Sequence, residues 1–534
     1  MHRLGGLNLQ TLAKRTVPDL LDRSRRFGDG RPLVVAVSPE RAVTYGEFLE
    51  RAAHTATDFA RRLAPGSRVA CLLGNGLDYL ILRYALSCAG LVEVAVNGGH
   101  RGEVLRHMLE LSRPDAVVVG DEFRGNLDGC GFDLRGRWIC GEVELGEIAA
   151  SRSPWESRPG IAIDPGDCCR ILFTSGTGGR SKAVELSHAY EVFTGHRHVD
   201  LVPIGPGDRM LFVTPLFHID AVYIVSLLLH TGATLALASG FSLSRFWDDV
   251  RRTKASHLSY VGSIIAILLK GDGPLEAHTL RIGTGGGARP HDAREFEARF
   301  GVEILESYAM TECIACTFNP RGQRRSGSIG RAVQGYEVAI HGANGQAVPS
   351  GGMGEIVVRS DEPFALFTRY VGDPDATRTA MRGGWFHTGD LGSKDADGYF
   401  TYRGRLKDSI RVKGENVSAL ELEAIVDSHP DIQASAAIAV PSEIGDDDIL
   451  LYIEPKPGAI LEPRDVFAFV ATRAVKFMWP RYIRISARLP RTATEKIMKS
   501  ALDRSVAADI WSPRRSDPAE DEEHPGQSDG KPAP

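Results

Sequence analysis

The chain has 534 residues, 43% of them hydrophobic and 25% charged, with a net charge of -5 at pH 7. That length is enough for several cores, and the acidic balance argues against a nucleic-acid surface, which needs a basic excess. No apolar run approaches the roughly twenty residues of a membrane span, and Met1 to Arg26 carries arginines without an apolar core behind them, so no secretory leader is expected.

Residues 16–64 read as two helices around a short apolar strand, Pro32 to Val37. The second helix opens near Thr44, with Glu47 placed for a capping box. A strand (Arg68 to Leu73), an amphipathic helix (Asp78 to Cys88) and another strand (Val92 to Val96) predict a βαβ unit. Ala116 to Val119 is a further apolar run, and the alternation continues to about residue 300. The expected fold is α/β, with a large multi-subdomain N-terminal domain built on parallel-rich sheets. Eight cysteines are scattered; Cys313 and Cys316 form one C-x-x-C with no second pair at zinc spacing, and read as ordinary buried thiols of a reducing cytoplasm.

Ile171 to Phe173 reads as a buried strand feeding a loop with Thr174, Ser175, Gly176, Thr177, Gly178, Gly179 and Lys182. Glycines bring backbone N–H groups onto an anion, hydroxyls donate further bonds and the lysine adds full charge, a combination suited to a polyphosphate. The P-loop pattern fails, because Ser181 precedes the lysine and Ala183 follows it. Leu211 to Thr214 reads as a strand, followed by Pro215-Leu216-Phe217-His218-Ile219-Asp220 and a strongly apolar helix. His218 fits a core histidine, and Asp220 fits a helix cap, with a substrate amine as its other possible partner. Gly283 to Ala288 matches G-x-G-x-x-A before a helix from His291 to Phe300, a dinucleotide fingerprint for which Glu303 or Glu306 would supply the ribose acid. After a strand from Val302 to Leu305 comes Glu306-Ser307-Tyr308-Ala309-Met310-Thr311-Glu312: an aromatic to stack on a base, a hydroxyl donor and a hard oxygen ligand suited to Mg²⁺.

Trp385-Phe386-His387-Thr388-Gly389-Asp390 precedes a hairpin signal at Asp397-Gly398, then Tyr402-Arg403-Gly404-Arg405-Leu406-Lys407-Asp408. Beyond it lies a small α+β pattern: helix Ser418 to Ser428, strands Ala434 to Val440 and Ile449 to Glu454, helix Pro463 to Arg473. It closes on Pro490-Arg491-Thr492-Ala493-Thr494-Glu495-Lys496. Residues 511–534, rich in Ser, Pro, Asp, Glu and Gly, are expected to be a disordered tail.

In this order, over about residues 15–505, the motifs resemble those of the adenylate-forming (AMP-binding) superfamily of acyl-CoA synthetases, luciferases and peptide-synthetase adenylation domains. Pro215–Ala221, Phe246-Trp247 and Ser259-Tyr260-Val261-Gly262 are most similar to carnitine-CoA-ligase-like acyl-CoA ligases. The resemblance implies that Thr174, Ser175, Gly176, Thr177 and Lys182 hold the ATP phosphates, while Gly286, Gly287 and Ala288 lie along the adenine. It places Tyr308, Ala309 and Met310 at the base, Thr311 on the α-phosphate, and Glu312 with Thr177 on Mg²⁺. Asp390 would accept the ribose hydroxyls, with Tyr402 and Arg405 beside ribose and phosphate. His218, Asp220, Tyr260 and Gly262 would line the acyl pocket. Lys407 would be the hinge between a domain 1–404 and a mobile domain 408–510, with 405–407 linking them. Lys496 would be the catalytic lysine, assisted by Thr311 and Lys182. Gly178, Ser181, Ala183, Ala309 and Glu495 depart from the usual Thr, Pro, Gly, Gly and Gly.

The implied reaction activates a small carboxylic acid with ATP as an acyl-adenylate and transfers it to CoA, in the cytoplasm. Transfer to a carrier-protein phosphopantetheine, and diazotisation of an aryl amine through activated nitrite in secondary metabolism, are the alternative readings. An adenylate-sensing protein without turnover is weighed against by Lys182, Glu312, Asp390, Arg405 and Lys496.

Overall fold

The computed structural model describes residues 15–37, 40–174, 181–274, 277–406, 409–412, 415–442, 447–474, 476–492, 495–506 and 510–513. The chain divides into two compact units, Met1–Thr388 with Ser393–Thr401, and Gly389–Gly392 with Tyr402–Pro534.

The first unit opens with α1 (Val17–Ser24), β1 (Pro32–Val37), β2 (Glu40–Thr44), α2 (Tyr45–Arg62), β3 (Arg68–Leu72), α3 (Leu77–Cys88) and β4 (Val92–Ala95). It continues with α4 (Gly102–Ser112), β5 (Ala116–Val119), α5 (Asp121–Asp128), β6 (Trp138–Gly141), α6 (Glu142–Ala150), β7 (Cys168–Thr174) and β8 (Lys182–Ser187). Then follow α7 (His188–Val199), β9 (Arg209–Phe212), α8 (Ile219–Thr231), β10 (Thr234–Leu237), α9 (Phe246–Thr253) and β11 (His257–Val261). α10 (Gly262–Leu269), β12 (Ile282–Gly286), α11 (Pro290–Phe300), β13 (Glu303–Met310), β14 (Cys313–Phe318) and β15 (Arg331–Ala332) complete the main body. A further sheet carries β16 (Glu337–His341) and β17 (Met353–Arg359), whereas β18 (Arg369–Tyr370) joins β8.

Helix starts follow from local chemistry. Thr16 and Asp19 cap α1 reciprocally, each backbone N–H donating to the other's side chain at 3.3 Å. At α2 only half of the expected box forms. Thr44 Oγ1 accepts from Glu47 N at 3.2 Å, but the Glu47 carboxylate turns to Arg51 at 2.6 Å and Arg152 at 2.8 Å.

Two large sheets organise the unit. One runs β18-β8-β7-β4-β3-β5-β6, the other β15-β14-β13-β12-β11-β9-β10-β1-β2. Their central strands are parallel, as in the β3 pairs with β4 and β5 and the β11 pairs with β9 and β12. Strands covered on both faces read as unbroken apolar runs, and all four residues of β5 are buried. The α/β expectation is therefore met. Three local readings change. Glu40–Thr44 is an unforeseen antiparallel partner of β1. Gly283 to Gly286 lie inside β12 instead of a turn. Tyr308 to Met310 extend β13 to the edge of a hairpin.

The second unit contains α12 (Ala419–Asp427), β19 (Ile432–Pro441), β20 (Asp447–Pro455), α13 (Pro463–Ala471) and β21 (Tyr482–Ile485), with the three strands forming one sheet. Trp511, expected at the start of the tail, instead bridges to Ile483 and packs against Phe467, ring centroids 5.5 Å apart. Among the described residues no helix is long and apolar enough to cross a membrane.

Candidate active site

The segment expected to bind phosphate lies between two antiparallel strands, β7 and β8. β7 and β8 run antiparallel and their last pair is Thr174 opposite Lys182, so both ends of the 175–180 segment meet. Ser175, Gly176 and Thr177 themselves lie outside the described residues. Lys182 Nζ sits 4.4 Å from the ring centroid of Tyr370, a cation–π approach. Tyr370 reaches this place because β18 pairs with β8, Tyr370 opposite Val184. Its hydroxyl donates to Glu312 Oε1 at 2.7 Å. Lysine, aromatic ring and carboxylate thus form one chain of contacts beside the loop.

Thr311 and Glu312 are the two turn residues between β13 and β14, whose closing pair is Met310 with Cys313. The motif therefore sits at a strand-to-strand turn. Tyr190 on α7 donates its hydroxyl to the Thr311 carbonyl at 2.9 Å, and the Glu312 carbonyl accepts from Phe367 N at 2.9 Å. Glu312 is 4% exposed. Among the described residues there is no group of three or more His, Cys, Asp or Glu that could hold a metal. One oriented carboxylate fits Mg²⁺, which keeps waters and binds through one or two carboxylates plus substrate phosphates. Cys313 and Cys316 are buried with Sγ atoms 3.9 Å apart.

The glycine-rich stretch packs by close backbone approach. A Cβ on Gly262 would stand 1.8 Å from the Gly287 carbonyl oxygen, and Gly287 has φ +81°. Beneath the turn sits Glu306. Its Oε1 accepts from Gly287 N at 2.5 Å and Ala288 N at 3.2 Å, and its Oε2 accepts from the Tyr260 hydroxyl at 2.6 Å. Burial pushes its carboxyl up to about 7, against these three bonds, which pull the other way. β12, α11 and β13 do form a parallel βαβ unit, as the dinucleotide reading requires. Its ribose acid is missing, however: Glu306 is committed to its own backbone, and Glu303 is paired with Arg321 at 2.8 Å and Arg324 at 3.5 Å.

At the head of α8 the N-cap is His218, without a side-chain capping bond, and Asp220 lies one residue inside the first turn. The capping expectation for Asp220 is therefore corrected. Burial raises the Tyr223 hydroxyl well above its ordinary range, and the charge of the Asp220 carboxylate raises it further. Tyr223 stacks on His198, centroids 4.5 Å apart at 24°, and burial depresses His198 to about 4, so the ring beneath Tyr223 is neutral at pH 7. Tyr308 is buried, and its hydroxyl lies 4.0 Å from Met310 Sδ.

In the second unit, Arg405 Nε meets Asp390 Oδ1 at 2.9 Å, and Asp390 is 2% exposed. Tyr402 is half-buried on the same strand (Phe400–Arg405) as Arg405. Lys407 lies outside the described residues. Lys496 is exposed in a tight turn: Thr492 N donates to Lys496 O at 2.7 Å, and Lys496 N to Thr492 Oγ1 at 3.1 Å. Glu495, which replaces the usual glycine, has φ +61°. Tyr190, Tyr370 and the structural role of Glu306 were not foreseen. Tyr370 is 58 residues from Glu312, and no local pattern marks it.

The fold and its hairpin-borne loop define a nucleotide-activating ligase architecture. The AMP-binding enzyme family matches residues 21–371, and its C-terminal domain matches residues 421–496. A crotonobetaine/carnitine–CoA ligase of Salmonella choleraesuis (strain SC-B67) is 31% identical over 525 residues, covering 94% of this chain and 100% of its own. ATP-bound MatB from Rhodopseudomonas palustris superposes with a TM-score of 0.81 at 26% identity, over 90% of this chain and 97% of that one. The amide bond synthetase McbA from Marinactinospora thermotolerans shares the fold at 23% identity, with a TM-score of 0.78 over 91% of this chain and 98% of its own. The chain therefore belongs to the AMP-binding enzyme family, the adenylate-forming acyl-CoA ligases, and is an ATP-dependent, AMP-forming acid–thiol ligase.

Proposed function

We propose that this enzyme joins a small carboxylic acid to CoA through an acyl-adenylate. The observation that carries the reading is the Lys182–Tyr370–Glu312 chain at the mouth of the β7–β8 hairpin. A carboxylate oxygen attacks the α-phosphorus of ATP, the bond from that phosphorus to the β-phosphate oxygen breaks, and pyrophosphate leaves. The CoA sulfur then attacks the acyl carbon, losing its proton, and AMP departs.

Two anions meet in the first step, so preorganised positive charge and donors must offset the charge that develops. Lys182 is assigned to the phosphates, its ammonium held over the Tyr370 ring. Thr174 and, outside the described residues, Ser175, Gly176 and Thr177 complete that cradle. Thr311 is assigned to donate to the α-phosphate from a turn fixed by Tyr190. Glu312, with Thr177, would hold Mg²⁺, which supplies charge neutralisation of the phosphates when bound. Gly286, Gly287, Ala288 and Tyr308 to Met310 are assigned to the adenine side, and Asp390, Tyr402 and Arg405 to ribose. His218, Asp220, Tyr260 and Gly262 are assigned to the acid. Lys496 is assigned to the reacting oxygens of adenylation.

The test is pyrophosphate release with Mg·ATP against carnitine, malonate, benzoate, anthranilate and nitrite, each with and without CoA. Release with one carboxylate and a CoA thioester among the products supports the reading. Release with nitrite alone, or an adenylate that CoA never discharges, contradicts the acceptor or the acid assigned.

A further inference from the structure

Residues 213–218 join β9 to α8 and lead into the helix that bears Asp220 and Tyr223. Their backbone is gripped from the other sheet. Leu216 N donates to Asn75 Oδ1 at 2.7 Å. Asn75 Nδ2 donates to the Thr214 carbonyl at 2.9 Å and the Ala238 carbonyl at 3.1 Å. Arg83 Nη1 donates to the Leu216 carbonyl at 2.7 Å. Asn75 lies in the loop between β3 and α3, and Arg83 on α3 itself. One amide and one guanidinium therefore satisfy both polar groups of Leu216, which is itself fully buried.

Arg83 belongs to a larger cluster. Its Nη1 lies 3.4 Å from Glu93 Oε1, which also accepts the Tyr79 hydroxyl at 2.8 Å. Glu93 Oε2 accepts Arg170 Nη1 at 2.7 Å, and Arg170 grips Glu191 through Nε at 2.6 Å and Nη2 at 3.1 Å. All four charged side chains are fully buried, and two positive charges balance two negative. Such a cluster is poor evidence for stability, because desolvation offsets much of the Coulombic gain. What it does is tie geometry: Arg170 sits on β7, four residues before Thr174, and the same strand leads into the phosphate loop.

We infer that Asn75 and Arg83 are positioning residues for the acid, fixing the backbone of Thr214 to His218 against the strand that presents the phosphate loop. The inference rests on the assignment of His218 and Asp220 to the acid pocket. Loosening the clamp displaces that wall and leaves the nucleotide groups in place, so the acid and ATP respond differently.

The experiment compares full-length wild type with Asn75→Ala and Arg83→Lys. Asn75 is half-buried and uncharged, so its alanine variant leaves no buried charge unpaired. In the absence of substrates, hydrogen–deuterium exchange of peptides spanning 213–219 should speed up about tenfold in Asn75→Ala, the scale of losing the bond that protects the Leu216 amide, Leu216 N to Asn75 Oδ1, with β7 and β12 unchanged. With whichever of carnitine, malonate, benzoate and anthranilate the wild type uses, the KM for acid should rise about tenfold. The KM for ATP and kcat should hold. Arg83→Lys keeps the charge and one donor group, and should show a smaller rise in the same acid KM. Unchanged exchange at 213–219, or a parallel rise of both KM values, overturns the inference. A wild type silent towards all four acids counts against the functional reading instead, and the exchange result then decides whether the clamp holds the segment.

Discussion

Glu306 is a buried acid whose two oxygens accept two backbone amides and one phenol. Its carboxyl rises from 4.5 to about 7 because burial disfavours the charge. A folded-state value above the unfolded one means a stabilising contribution present below about pH 4.5 and lost as pH rises through about 7, a change of about 3 kcal/mol. Glu306→Gln, which keeps an acceptor for the amides, is expected to flatten that loss. Thermal melts from pH 4 to 9 check it, and a wild-type slope retained in the variant would refute it. Glu495 offers a second residue-scale prediction. A side chain at φ +61° is strained where glycine is not, so Glu495→Gly should stabilise the second unit by about 1 kcal/mol, read by urea unfolding. The sequence showed that Glu495 stands in a glycine's place, but not that the backbone there stays left-handed. Glu306 was visible only as a possible ribose ligand, because its partners Gly287 and Tyr260 lie 19 and 46 residues away.

Hairpins are the elements that present the residues assigned to the phosphates and to Mg²⁺. The β7–β8 pair sets Thr174 opposite Lys182, and the β13–β14 pair sets Thr311 and Glu312 at its tip. The return strands β8 and β14 were not expected, but the residues of both tips and the strands leading into them were legible in sequence, since apolar runs, glycines and a Thr-Glu pair are local signals. The supports of those tips were not. Tyr370 arrives on a two-residue strand too short to carry any periodicity, and Asn75 meets Thr214 across 139 residues. The glycine run shows the opposite failure. Its pattern signals a phosphate turn, yet Gly283 to Gly286 are strand, selected by close approach of β11 and β13. Tyr370→Phe tests the support directly. It keeps the ring under Lys182 and removes the bond to Glu312, with an expected cost of about 1 kcal/mol, seen as a several-fold rise in the KM for Mg·ATP and little change in the KM for the acid. Equal rises in both would mean that Tyr370 acts on the fold and not on the nucleotide side.

At the scale of the whole molecule, the residues assigned to the phosphates and to Mg²⁺ belong to the first unit, and Asp390, Arg405 and Lys496 to the second. Lys407→Pro is expected to leave acid-dependent pyrophosphate release intact and to abolish thioester formation, measured on one preparation with and without CoA. The most direct measurement takes Lys496→Ala through the two half-reactions apart: pyrophosphate release from acid and Mg·ATP, and thioester formation from a supplied acyl-adenylate and CoA. A loss on the order of 10²-fold is expected in the first, the scale of one removed transition-state donor, with the second close to wild type. A first half-reaction at wild-type rate, or an equal loss in both, would contradict that expectation.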